Sequence, residues 1–128
     1  MSDPIQTWHR VVRDKDMALL DGLIADECVF HSPVVHSPQA GKALTKMYLS
    51  AAAMVLANDT FTYVREVIGQ SNAVLEFTAE IQGIHINGVD MIAWNDAGEI
   101  VDFKVMVRPL KAVNMLHGMM KQMLEQTH

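Results

Sequence analysis

The sequence has 128 residues, half of them hydrophobic, and a formal net charge of −5 at pH 7 with the histidines counted as neutral. This length indicates one domain over residues 1–128, and so large an apolar fraction can build a core without disulfides or metal. The acidic balance and the lack of any lysine or arginine run argue against a nucleic-acid partner. The single cysteine, Cys28, excludes an internal disulfide and a cysteine-rich zinc site. The polar opening residues and the short apolar runs predict a cytoplasmic protein with no membrane partner.

The first half of the chain predicts three helices and one short strand. Asp3 is a typical N-cap and Pro4 a typical first helical residue, and apolar residues then recur at helical spacing. The predicted elements are a helix from Pro4 to about Arg13, a second from Met17 to about Ala25, a strand over 28–32, a loop over 34–39, and a long helix from Gly41 to about Leu56.

The second half predicts strands followed by a helix. The links between the strand-like runs are too short for a parallel crossover, so neighbouring runs must pair antiparallel. The predicted strands span residues 61–69, 73–82, 89–94 and 100–107, with 83–87 as a connection or a leading part of the third, and a helix follows from Leu110. This order predicts an α+β fold in which a curved antiparallel β-sheet wraps over about three helices and encloses an apolar cavity.

One carboxylate stands out in this pattern, because Asp90 interrupts an otherwise apolar strand. A buried charge is costly unless it is paired or neutralised. If pairing is regular around the turn at 95–98, Asp90 lies opposite Lys104 and forms a cross-strand ion pair. If a one-residue bulge intervenes, it lies opposite Val105 on an apolar face, where desolvation raises its pKa. Spacing alone leaves both interpretations open.

Three stretches of the sequence resemble the nuclear-transport-factor-2-like superfamily, and within it the SnoaL-like polyketide cyclases and ketosteroid isomerases. The first is Thr7–Leu49, with a Ser32-Pro33 step before a loop and Gly41 at the start of the long helix. The others are Val89–Gly98, a strand and turn, and Val107–Ala112. The resemblance implies a cone-shaped sheet of the cystatin-like α+β roll type, an apolar pocket and a homodimer.

The resemblance also implies roles for single residues. Asp90 matches the family's protonated pocket acid, Ser32 stands at the position of the general base, and Trp8 stands at the position of a tyrosine donor. A serine cannot abstract a proton unaided, so a base would be His31, His36 or a water molecule held by Ser32. Strict alternation, however, places His31 on the opposite strand face from Ser32, and His36 is equally well a solvated loop histidine.

We expect the predicted pocket to bind a small apolar ligand. No metal or cofactor is expected, because the histidines are not at metal-ligand spacing. The predicted function is an isomerase- or cyclase-type enzyme acting on a small apolar carbonyl compound, and the alternative is a non-catalytic small-molecule-binding or dimerisation module of the same fold. The catalytic candidates are Asp90, His31 and Ser32, and the ligand-binding candidates are Trp8, His36, Tyr48, Trp94, Phe103, Val105 and Val107.

Overall fold

The computed structural model describes residues 3–126, which form four helices and six strands. The predicted α+β class is confirmed. The helices are α1 (Pro4–Asp14), α2 (Met17–Leu23), α3 (Lys42–Leu56) and α4 (Leu110–Gln126). The strands are β1 (Ile24–His31), β2 (Gln39–Ala40), β3 (Thr62–Ile68), β4 (Asn72–Ile81), β5 (Ile84–Trp94) and β6 (Ile100–Arg108).

The strands form one sheet in the order β2-β1-β6-β5-β4-β3. Strands β3 to β6 are an antiparallel meander, as their short links require. Strand β1 pairs with β6 in parallel, with Phe30 beside Phe103. That pairing is possible because α3 and the rest of the meander lie between the two strands in sequence and provide the long connection.

Several elements differ from the sequence prediction, and the short strand β2, which begins at the end of the predicted loop over 34–39, was not predicted. Helix α2 ends at Leu23, and β1 begins at Ile24 rather than at Cys28. Strand β5 begins at Ile84, so the shorter alternative of a mere connection over 83–87 is wrong. Gln82 and Gly83 both have positive φ, and they form a tight turn that lets pairing start at once.

One hydrophobic cluster joins the inner face of the sheet to all four helices. Strand β4 illustrates the alternation behind it: Leu75 and Phe77 are buried, whereas the glutamates between and beyond them face outward. Helices α1, α3 and α4 contribute Trp8, Leu49 and Leu116 from the other side. No helix in the part of the chain described is long and apolar enough to cross a membrane.

Candidate functional site

An apolar cavity lies between the inner face of the sheet and helices α1, α3 and α4. Its unfilled volume is about 60 Å³, room for only a few water molecules. A drug-sized ligand needs several hundred Å³, so binding requires side chains at the wall to move. Met120 on α4 is one such wall residue, and methionine changes shape at little cost. The side chains in the described lining that carry polar atoms are Trp8, Ser32, Tyr63 and Asp90.

The register of β5 and β6 points the carboxyl of Asp90 into this cavity. Trp94 pairs with Ile100 but Ala93 pairs with Asp102, so Val101 is the extra residue of a bulge. Asp90 therefore lies opposite Val105. The sequence left two registers possible, and the structure has the one with the bulge. The cross-strand ion pair between Asp90 and Lys104 therefore does not form.

The turn between the two strands explains this register. The side-chain oxygen of Asn95 accepts hydrogen bonds from the backbone N–H groups of Ala97 and Glu99, each at 3.0 Å. Gly98 has φ of 79°, which glycine adopts without strain. The turn thus fixes Asn95 against Glu99, and the strand takes up its one extra residue just beyond.

Asp90 takes part in a hydrogen-bonded chain of three side chains. The indole Nε1–H of Trp8 donates to Tyr63 Oη at 2.9 Å, and Tyr63 Oη–H donates to Asp90 Oδ2 at 2.5 Å. Helix α1, edge strand β3 and central strand β5 each supply one member. The indole N–H predicted to assist a ligand is thereby directed to Tyr63.

Burial governs the protonation of this site. Asp90 is 5% exposed, and desolvation raises the pKa of its carboxyl to about 7, although the hydrogen bond from Tyr63 favours the carboxylate and opposes the rise. Desolvation, followed by the proximity of Asp90, raises the pKa of the Tyr63 phenol well above its ordinary value. Near neutral pH, Tyr63 is therefore a hydroxyl donor, and Asp90 exchanges between acid and carboxylate.

The three candidate bases occupy different places. Ser32 lines the cavity, and its Oγ accepts a hydrogen bond from the backbone N–H of Val34 at 3.1 Å. His31 is not among the lining residues; its Nε2 lies 2.9 Å from Oδ1 of Asp102 on β6. His36 is exposed in the loop after β1 and does not line the cavity either. Within the described lining, Asp90 and Tyr63 are consequently the only titratable groups.

The predicted apolar lining is brought together in part. Trp8, Phe103, Val105 and Val107 line the cavity. Tyr48 does not; it stacks on Phe30 at a centroid distance of 5.4 Å. Trp94 lies beside the bulge, half-buried, and borders a separate surface hollow.

Sequence reasoning missed Tyr63, the direct partner of Asp90. Tyr63 pairs with Phe77 on the inward face of β4. The available signal was that a tyrosine on the same face as two buried aromatic residues needs a partner for its hydroxyl. Identifying that partner as Asp90 requires the order of strands in the sheet.

No group of three or more histidine, cysteine, aspartate or glutamate side chains in the described part of the chain is arranged to hold a metal ion. Cys28 is buried, and desolvation raises the pKa of its thiol to about 11, so it is a core residue rather than a thiolate.

The chain is similar to several solved structures. A steroid delta-isomerase from Pseudomonas aeruginosa superposes with a TM-score of 0.91 and 34% sequence identity, over 97% of this chain and 90% of that one. An uncharacterized bacterial protein with a cystatin-like fold, from Silicibacter pomeroyi, has a TM-score of 0.86 and 29% identity over 95% and 85% of the two chains. An NTF2-like protein of unknown function from Mesorhizobium loti, with a TM-score of 0.71 and 23% identity over 83% and 88%, shows the fold alone. No protein-family model and no curated protein matches the sequence.

Proposed function

The chain belongs to the nuclear-transport-factor-2-like (SnoaL-like) superfamily, and on that premise we propose that it binds a small apolar carbonyl compound and polarises the carbonyl with the neutral form of Asp90. The observation that carries this proposal is the setting of Asp90. The carboxyl is buried in an apolar cavity, accepts a hydrogen bond from Tyr63, and forms no ion pair with any described lysine, arginine or histidine.

The two oxygens of Asp90 have different tasks in this proposal. Oδ2 accepts the hydrogen bond from Tyr63. The proton of the neutral acid is therefore carried on Oδ1, and from there it is donated to the carbonyl oxygen of the ligand. A donor held in a water-poor site is worth most when negative charge develops on that oxygen. Trp8 acts indirectly, because its indole N–H donates a hydrogen bond to Tyr63 and holds that residue in place.

This arrangement suits isomerisation or cyclisation through an enol or enolate, and one of the similar solved structures is named a steroid delta-isomerase. A proton must also leave the carbon next to the carbonyl. The hydroxyl of Ser32 can hold a water molecule for that purpose, and such a weak base limits the substrates to carbonyl compounds with acidic α-hydrogens.

A second candidate function is a non-catalytic small-molecule-binding module. It is favoured by one specific observation: apart from Asp90, no carboxylate or imidazole belongs to the described lining of the cavity. Binding would then use the same hydrogen bond from Asp90 without turnover.

Exchange of α-hydrogens in heavy water separates the two candidates. With 2-acetylcyclohexanone as probe, the protein is expected to accelerate α-hydrogen exchange, followed by proton NMR. Asp90→Leu removes the donor and is expected to lower the protein-catalysed rate about 100-fold. Asp90→Asn keeps an N–H donor and should retain part of it. Thermal unfolding of both variants checks that the fold survives.

Two results would redirect this proposal. If the probe binds in an Asp90-dependent way but exchanges no faster than in buffer, the protein is the non-catalytic module. If Asp90→Leu binds and exchanges the probe as well as the unmodified protein does, Asp90 has no role in either.

We also propose that the protein forms a homodimer through the outer face of its sheet. Val67, Val74 and Met91 lie side by side across β3, β4 and β5, and Met106 on β6 lies diagonally from Met91, opposite Val89. These side chains are 61%, 36%, 37% and 56% exposed, respectively. A contiguous apolar patch on a sheet face is typical of a subunit contact, and a two-fold contact would place each patch on its own copy.

Charge substitution in this patch tests the homodimer. Met106→Lys is expected to convert a dimer to a monomer in light scattering after size-exclusion chromatography, because two lysines would be desolvated across the two-fold axis. Leu110→Lys is the matched control, since Leu110 is 73% exposed but lies on α4. A monomeric mass for the unmodified protein, or a dimer that tolerates Met106→Lys, would rule out this surface.

A further inference from the structure

A second hollow adjoins the apolar cavity and differs from it in chemistry. It has a volume of about 530 Å³ and opens between the end of α1, the end of α3 and the start of β3. Val12, Ala57, Phe61 and Tyr63 line both spaces. The part of the second hollow that we call the polar hollow is lined by the remaining residues, His9, Arg13, Lys15, Asn58 and Asp59. A ligand that extends past Tyr63 would therefore pass from apolar to polar surroundings.

The polar hollow has an excess of basic groups on a protein whose net charge is −5. Arg13 and Lys15 are cationic, His9 adds an imidazole, and Asp59 is the one acid in the described lining. The acids that pair with Arg13 and His9 do not belong to this lining.

Lys15 is the group best placed to meet a new anion. It is the C-cap of α1 with φ of 52°, and it forms no ion pair with a described residue. An anion can therefore approach its ammonium without displacing an existing partner.

We propose that the polar hollow binds a carboxylate at the far end of the same ligand, so that the ligand is an oxo-acid with an apolar body. The carbonyl lies at Asp90, the body runs between Val12, Ala57 and Phe61, and the carboxylate lies near Lys15. The inference rests on the proposed function for the position of the carbonyl, while the charge of the polar hollow supports the carboxylate independently.

A matched pair of probes tests it: 2-decanone, and 9-oxodecanoate, in which a carboxylate replaces the terminal methyl group. Isothermal titration at low salt is expected to show about five-fold tighter binding of the oxo-acid, the size of one exposed ion pair. The difference should vanish at about 0.5 M sodium chloride, where exposed charges are screened.

Two variants localise the effect. Lys15→Asn removes the charge and tolerates positive φ, so it should abolish the preference for the oxo-acid while leaving 2-decanone binding unchanged. Lys111→Asn on α4 is the matched control, because Lys111 is exposed and lies outside the polar hollow, and it should leave the preference intact.

The possible failures are distinguishable. If 2-decanone binds in an Asp90-dependent way and the oxo-acid binds no tighter, or if Lys15→Asn keeps the preference, the carboxylate site is overturned and the proposed function stands. If the oxo-acid binds in a Lys15-dependent way but neither probe depends on Asp90, the proposed function fails and the polar hollow remains an anion site. If neither probe binds, both are overturned.

Discussion

Raising the pH from about 4 to about 7 is expected to lower the free energy of unfolding by about 3 kcal/mol through Asp90 alone. The pKa of Asp90 in the folded protein is about 7, whereas an ordinary aspartate has a pKa near 3.9. Between these values the folded state still holds the proton and the unfolded state has lost it. Stability therefore falls as the pH rises through this window and is constant on either side of it.

Urea unfolding at several pH values measures this effect. Other groups titrate in the same range, so the informative quantity is the difference between the unmodified protein and Asp90→Asn, which has no proton to lose. That difference should change by about 3 kcal/mol between about pH 4 and pH 7. Tyr63→Phe removes the hydrogen bond that favours the carboxylate, and it should move the upper end of the window to higher pH. A difference that does not vary with pH would mean that Asp90 is ionised in the folded protein and cannot donate.

The same titration sets the pH range in which a ketone can bind. A neutral carbonyl requires the protonated form of Asp90, so affinity should be constant below pH 7 or so and fall about ten-fold per pH unit above it. The pH dependence of ligand affinity and the pH dependence of folding stability thus both report the protonation of the Asp90 carboxyl. The first is measured with ligand and the second without.

Much of the fold could be predicted because local patterns repeat along the chain. The alternation of β4 and the N-cap at Asp3 are written in neighbouring residues, and both are present, with Asp3 accepting a hydrogen bond from the backbone N–H of Ile5 at 2.9 Å. The resemblance to the nuclear-transport-factor-2-like superfamily is also confirmed. The parallel pairing of β1 with β6 could not be read in this way, since it joins segments that are far apart in sequence.

Of the hydrogen-bonded groups at the site, sequence patterns and the family resemblance identified Asp90 and Trp8, and the apolar lining was predicted in part. Asp90 was identified because it is the one polar residue in the apolar strand predicted over 89–94. Which residue its side chain faces, however, depends on the single bulged residue Val101. A one-residue change of register moves every side chain of a strand to the other face of the sheet. Tyr63 was missed because its partner lies two strands away across the sheet. Contacts of that kind follow from strand order, which composition and spacing do not determine.

Phe103→Ala is expected to lower the free energy of unfolding by about 3–5 kcal/mol. Phe103 is fully buried, and its ring meets Trp8 edge-on at a centroid distance of 4.8 Å. It also packs beside Phe30 and lines the apolar cavity. Truncation removes these contacts and leaves a void that is continuous with the existing cavity. The neighbouring side chains therefore have little to pack against if they move into the void.

Phe103→Leu is the control for size, because it keeps most of the volume and should cost about 1–2 kcal/mol. The void left by Phe103→Ala is apolar and should bind benzene, and benzene at 100 times its dissociation constant should restore about 3 kcal/mol of stability. Chemical unfolding with and without benzene measures both effects. A loss below about 1 kcal/mol would mean that the cavity wall can close over the gap, and the volume available to a ligand would then be set by movable side chains rather than by the aromatic residues around Asp90.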